Sequence, residues 1–148
     1  DHLYIDIFAH NVECVPRLDP TVRDHRATFS QSLGILREAK RLRPDVLTKS
    51  SLMVGLGEGD EEVSEALQLL RQAGVDLVTI GQYLAPSAKH LPVERFPEPE
   101  RYVEWEDEIE HLGFLASACG PLVRSSYHAG QLLHKARGIL LGQNPGNA

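Results

Sequence analysis

An α/β fold on a parallel sheet is what this sequence predicts, and three observations predict it. Four short strand-like runs, at residues 3–8, 46–54, 75–80 and 114–118, alternate with amphipathic segments of helical period. Each amphipathic segment carries its own start and stop signals. The polar residues that are expensive to leave in a core gather just after the strand-like runs. Alternating strands and helices imply right-handed β-α-β crossovers, which collect the C-terminal ends of the strands along one edge, where ligands bind. At 148 residues, 42% of them hydrophobic and 24% charged, the chain amounts to one domain able to bury a sizeable core.

In the first run, Leu3, Ile5 and Ile7 share one side of the pleat. A polar, Pro-bearing connector over 15–27 leads to Thr28, whose spacing to Gln31 is that of a capping box. Phe29, Leu33, Leu36 and Ala39 then form an apolar stripe, and Pro44 ends the helix. Residues 46–54 read as a strand although Thr48, Lys49, Ser50 and Ser51 interrupt its apolar character. Gly55-Leu56-Gly57-Glu58-Gly59 turns the chain into the clearest helix of all. Asp60, Glu61 and Glu62 sit at its positive end, Val63, Ala66, Leu67 and Leu70 repeat at helical spacing, and Gly74 stands at its C′ position. After the run at 75–80 comes a loop over 81–98 holding Pro86, Pro92 and Pro97, a length that in a compact domain marks function. Pro99 opens a third helix with Tyr102, Trp105, Ile109 and Leu112 facing inward and Gly113 at its end. The run at 114–118 is the fourth strand, a short helix follows from Gly130, and 142–147 read as a loose tail.

Fifteen basic against twenty-one acidic residues give a net charge of −6, and no Lys/Arg run offers a local exception, which disfavours nucleic acid as a partner. The longest apolar runs are far short of the roughly 20 residues of a membrane span. Cys14 and Cys119 lie far apart without C-x-x-C spacing, which argues against a disulfide framework and points to a reducing compartment. Because Asp1 stands at the head of a strand-like run, the chain is expected to be a truncated piece whose targeting signals would precede it.

Four polar clusters follow the strands: His10-Asn11-Val12-Glu13, Gly55-Leu56-Gly57-Glu58, Gly81-Gln82-Tyr83 and Arg124-Ser125-Ser126. The last belongs to Arg124-Ser125-Ser126-Tyr127-His128-Ala129, a density of donors and ligands that a mere connection does not require. From the residues alone, Ser125 or Ser126 could equally be a helix N-cap. Gly55-x-Gly57 fails as a dinucleotide fingerprint, since the third glycine would fall at Asp60 and the neighbouring acids would crowd a pyrophosphate. His10 and His90 lack metal-ligand spacing.

Taken in order, Phe8-Ala9-His10-Asn11-Val12-Glu13, the segment from Thr48 through Glu58, Gly81-Gln82-Tyr83-Leu84-Ala85-Pro86, Lys89-His90-Leu91-Pro92-Val93 and the segment from Gly120 through Ala129 closely resemble lipoyl synthase, a radical S-adenosylmethionine enzyme. The resemblance runs from Asp6 to Leu133. It implies the second half of a partial parallel (β/α) barrel of the radical S-adenosylmethionine, TIM-barrel-like type, with residues 1–128 forming the barrel part and 129–148 a C-terminal helix and tail. The implied reaction is a sulfurtransferase one, radical insertion of two sulfur atoms at C6 and C8 of an octanoyl group on a carrier-protein lysine.

The implied cofactors are S-adenosylmethionine and two 4Fe–4S clusters, one to cleave it and one to be sacrificed as sulfur donor. Both cysteine triads of the family lie upstream of the region present, so the fragment alone is expected to be inactive. On this resemblance Ser126 is the unusual serine ligand of the auxiliary cluster, and an alkoxide releases iron more readily than thiolate does. Arg124 would balance the cluster's charge or orient substrate. Asn11, Glu13, Lys49, Ser50, Gly55, Gly57, Glu58, Gln82 and Tyr83 would line the S-adenosylmethionine and substrate cavity. Implied partners are an octanoylated lipoyl domain or H protein and an electron donor such as ferredoxin or flavodoxin. The expected compartment is the cytoplasm, or the mitochondrion or plastid if a transit peptide preceded Asp1. Cys14 and Ser51 depart from the family, in which many members have Thr and Gly there. Two alternatives stay open: a different radical enzyme on the same half-barrel, and a non-catalytic half-barrel that only binds a partner or substrate.

Overall fold

The computed structural model describes residues 7–125 and 129–142. Within them four strands, β1 (Ile7–Ala9), β2 (Leu47–Val54), β3 (Leu77–Gln82) and β4 (Ala116–Gly120), form one sheet in the order β1-β2-β3-β4, every neighbouring pair parallel. Helices α1 (Asp19–Val22), α2 (Phe29–Leu42), α3 (Asp60–Gln72), α4 (Pro99–His111) and α5 (Ala129–Gly142) complete the chain. The α/β class and the parallel topology are those the alternation of periods predicts.

Local chemistry explains where the elements start and stop. Thr28 Oγ1 accepts from the Gln31 amide at 3.1 Å while Gln31 Oε1 accepts from the Thr28 amide at 3.1 Å, so the capping box closes in both directions. Glu62 accepts from the Gly59 amide at 3.0 Å in the acidic first turn of α3, and Gly74 ends that helix at φ 88°. The 15–27 connector is more structured than its composition suggests. It holds a 3-10 turn at Pro16–Leu18 followed by α1, because Pro presets the helical φ and the buried Asp19 carboxylate accepts from the Phe29 amide at 2.5 Å. Residues 3–6 of the first predicted strand lie outside the described residues.

The two faces of the sheet differ. On one, Leu52, Val54, Val78 and Ile80 pack under α2, α3 and α4 through Leu36, Leu67, Leu70, Tyr102 and Trp105, all of them buried. Each such side chain contributes about 1.5–3 kcal/mol on burial, which makes this layer the main store of stability. On the other face, Leu47, Leu77 and Ala116 lie against Leu132 and Ala136 of α5. Strand alternation places Lys49 and Ser51, then Met53, on this second face, so the surface α5 covers at its lower end turns polar toward the strands' C-terminal ends. Asp76 binds the sheet to α2, accepting from Lys40 Nζ at 2.7 Å and from the Thr48 amide at 2.9 Å.

Candidate functional site at the C-terminal edge of the sheet

A cavity of about 330 Å³ opens over that polar end. Asn11, Glu13, Gln82, Tyr83 and Arg124 line it, together with Ser51, Met53, Thr79, Leu84 and Val123. Its volume is at the lower end of the range for small-molecule sites.

The chain around Glu13 shows how the first cluster reaches it. β1 pairs with β2 as far as Ala9 and Lys49, the chain then bulges, and Glu13 rejoins the ladder opposite Leu52. Its amide donates to the Ser51 carbonyl at 3.1 Å, its carbonyl accepts from the Met53 amide at 2.8 Å, and the residue sits at φ 72°. A left-handed backbone is uncommon for a residue with a Cβ and stores strain, here held by the two ladder bonds. The bulge sends Asn11 and Glu13 toward the cavity, while Val12 enters the core and His10 Nε2 meets Ser32 Oγ of α2 at 3.1 Å.

Gly81 carries the third cluster. A Cβ there would run into the Val123 carbonyl oxygen, so the absence of a side chain lets the turn after β4 close down on the end of β3. Ser51 Oγ and Thr79 Oγ1, on adjacent strands in register, lie 2.7 Å apart in the cavity wall. Arg124 folds back on its own turn, donating to the Val123 carbonyl at 2.9 Å. Lys49 lies lower on the same face and donates to the Ser125 carbonyl; burial holds its ammonium below the usual lysine range.

The other sequence-predicted residues are placed elsewhere. Ser50 is on the helix side, fully buried, and accepts from the Val12 amide at 3.1 Å. Gly55, Gly57 and Glu58 form the turn behind the cavity. Glu58 is buried and accepts from the amides of Gly55 and Leu56. Gln82 gives the cavity its backbone position while its amide group is engaged behind the wall. Ser126 lies outside the described residues. Ser51, Met53 and Thr79 are lining residues that sequence reasoning did not assign. The two-residue alternation from Lys49 marks Ser51 and Met53, but Thr79 joins them only through sheet register.

An amide, a carboxylate, a guanidinium and two hydroxyls beside the apolar Met53, Leu84 and Val123 suit a small zwitterionic molecule, and S-adenosylmethionine is of that kind. The described residues do not suit an iron–sulfur cluster. No group of three or more His, Cys, Asp or Glu among them is placed to hold a metal ion. Cys14 is buried on the helix side, its thiol pushed up to about 12 chiefly by burial and further by Asp19. Burial also pushes the Cys119 thiol well above its ordinary value, and neither cysteine lines the cavity. Among the described residues no helix is long and apolar enough to cross a membrane.

Fold and site together define a segment of a parallel α/β unit with a cavity of mixed polar and apolar lining at the C-terminal edge, an arrangement consistent with part of a radical S-adenosylmethionine barrel. Among known proteins, the chain is 55% identical over 127 residues to "Lipoyl synthase, mitochondrial" of Drosophila ananassae, a match covering 86% of this chain and 34% of that protein. It is 52% identical over 131 residues to the proteins of the same name from Xenopus laevis and Bos taurus, each match covering 88% of this chain and 35% of the relative. No family model matches the chain. Over the matched residues the chain is a lipoyl synthase homologue. It spans about a third of the length of the curated relatives it matches. The names of these relatives say mitochondrial, which fits the mitochondrial alternative expected above and not the cytoplasm.

Proposed function

We propose that this chain is part of a lipoyl synthase and forms one wall of its reaction chamber. The observation that carries the reading is the cavity wall made by Asn11, Glu13, Tyr83 and Arg124 in a chain more than half identical to lipoyl synthases over 86% of its length. The reaction is insertion of two sulfur atoms at C6 and C8 of an octanoyl group on a carrier-protein lysine, the carrier being a lipoyl domain or H protein. S-adenosylmethionine and two 4Fe–4S clusters supply the radical and the sulfur when bound, with the cluster cysteines outside this chain and Ser126 as its one ligand.

The chain's own residues bind, orient and exclude water. Asn11 and Glu13 offer an amide and a carboxylate to the polar end of S-adenosylmethionine, and the carboxylate suits an ammonium group. Arg124, next to the Ser125-Ser126 pair, supplies fixed positive charge to an anionic centre. Met53, Leu84, Pro86 and Val123 belong to the apolar part of the wall, which an acyl chain can lie against and which keeps water from a reactive intermediate. The compartment goes with the relatives' names, mitochondrial, and the electron donor is of the ferredoxin or flavodoxin kind.

The test uses the full-length protein that carries this chain. It is expected to restore protein-bound lipoyl groups in a host lacking lipoyl synthase. Ser126→Ala is expected to keep S-adenosylmethionine cleavage and strongly reduce lipoyl formation, measured as 5′-deoxyadenosine and lipoyl peptide by mass spectrometry. Were Ser126 only an N-cap, the substitution would cost about 1 kcal/mol of stability and leave turnover nearly intact. Failure of the parent protein to form lipoyl groups would overturn the proposal.

A further inference from the structure

The loop over residues 83–98 places Tyr83, Leu84 and Pro86 in the cavity wall, yet residues 84–98 contain no helix or strand. A wall that positions a ligand must be held, and behind it lies a set of contacts that the proposed chemistry does not use. Gln82 is at its centre, 4% exposed. Its Nε2 donates to the Arg95 carbonyl at 3.0 Å and to the Tyr83 carbonyl at 3.0 Å, and its Oε1 accepts from Tyr102 Oη of α4 at 3.2 Å. Carbonyl oxygens only accept, so the two donations fix which way the amide points and leave Oε1 for the phenol. One side chain thus ties the loop's departure to its return and both to a helix.

The returning segment of the loop is fastened twice more. The Glu94 amide donates to the Gly55 carbonyl at 2.8 Å, and Gly55, at φ 100°, leaves vacant the space that a Cβ would dispute with the Gln82 amide and the Arg95 carbonyl. The Arg95 guanidinium lies 2.9 Å from the Asp60 carboxylate, which Arg101 also approaches at 3.2 Å, and Arg101 in turn stacks 5.1 Å over the Trp105 ring. Asp60 opens α3 and Arg101 lies in the first turn of α4, so the loop is anchored to two helices packed in the main core.

We propose that Gln82, with Tyr102, Arg95 and Asp60, is a positioning brace that sets the place of the cavity's loop wall for the reaction proposed above. Gln82 acts through the loop, its amide group being engaged by Tyr83, Arg95 and Tyr102. The inference rests on that reading for its catalytic consequence, while the brace itself is read separately.

The experiment uses the full-length holoenzyme. Tyr102→Phe removes one hydroxyl and keeps the ring in the core, Arg95→Met removes the ion pair, and Arg95→Lys keeps a cation at the same place. In Tyr102→Phe and Arg95→Met, amides over 83–94 are expected to exchange hydrogen about tenfold faster while those of β2 and β3 do not change. The dissociation constant for S-adenosylmethionine is expected to rise about tenfold with kcat within about twofold, and Arg95→Lys to recover most of the loss. Unchanged exchange over 83–94, equal acceleration in β2 and β3, or a loosened loop with unchanged affinity would each overturn the brace. An enzyme that forms no lipoyl product would sink the proposed function instead, and the exchange pattern would still decide the brace.

Discussion

Cys14 shows how far the meaning of a residue depends on its neighbours. In the sequence it is one of two thiols and a departure from the family. In the fold it is fully buried, 3.7 Å from the Asp19 carboxylate, with its thiol raised from 9.0 to about 12 by burial and then by that carboxylate. A group whose folded value is raised keeps a proton that the unfolded chain releases, so its contribution to stability is present below about pH 9 and is lost as pH rises toward 12. The expected outcome is that Cys14 resists thiol reagents in the native protein at pH 8 and reacts once the chain is unfolded. Cys14→Ala is further expected to flatten the fall in urea midpoint between pH 9 and 11, measured beside the parent at each pH. The same dependence on context separates Ser50 from Ser51, neighbours in sequence, of which one caps a backbone amide on the helix side and the other faces the cavity.

Among the elements, α2 and α3 are written most plainly in the chain. The Thr28–Gln31 capping box and the acid-rich start of α3 act within one turn, so their residues carry the signal whatever the rest of the fold does. Thr28→Ala is expected to lower the stability of the protein that carries this chain by about 1 kcal/mol without moving the cavity, checked by chemical denaturation and S-adenosylmethionine affinity. β1 is the opposite case. Among the described residues Ile7–Ala9 form the strand, and the polar stretch after it works by leaving the ladder and returning at Glu13 with a left-handed backbone. Hydrophobic periodicity has no signature for such a bulge. The 15–27 connector likewise carries no periodic signal, since its short helical turns depend on the Asp19 carboxylate accepting from the Phe29 amide ten residues ahead.

At the scale of the molecule the sheet is unequal at its two edges. At β4, Glu106 of α4 reaches the Cys119 amide at 3.0 Å, while β1 pairs with β2 alone among the described strands. Beside β1, the apolar Phe8, Ile35 and Leu42 are exposed, and with Gly34 and Ala39 they line a broad groove. An open strand edge beside an apolar groove is a template for association. Expressed by itself, the 148-residue chain is expected to self-associate with rising concentration, and Ile35→Lys to shift it toward the monomer in size-exclusion chromatography with light scattering. A monodisperse parent at high concentration would remove this expectation. The sequence by itself determined the class of the fold, the caps and faces of α2, α3 and α4, and the clustering of polar groups after the strands, because these follow from periods and spacings within a few residues. Only the tertiary structure decided which of those groups share a cavity. Register alone pairs Ser51 with Thr79, the bulge aims Asn11 and Glu13, and packing turns the Gln82 amide away from the cavity toward Arg95 and Tyr102, all through contacts between residues distant in the chain.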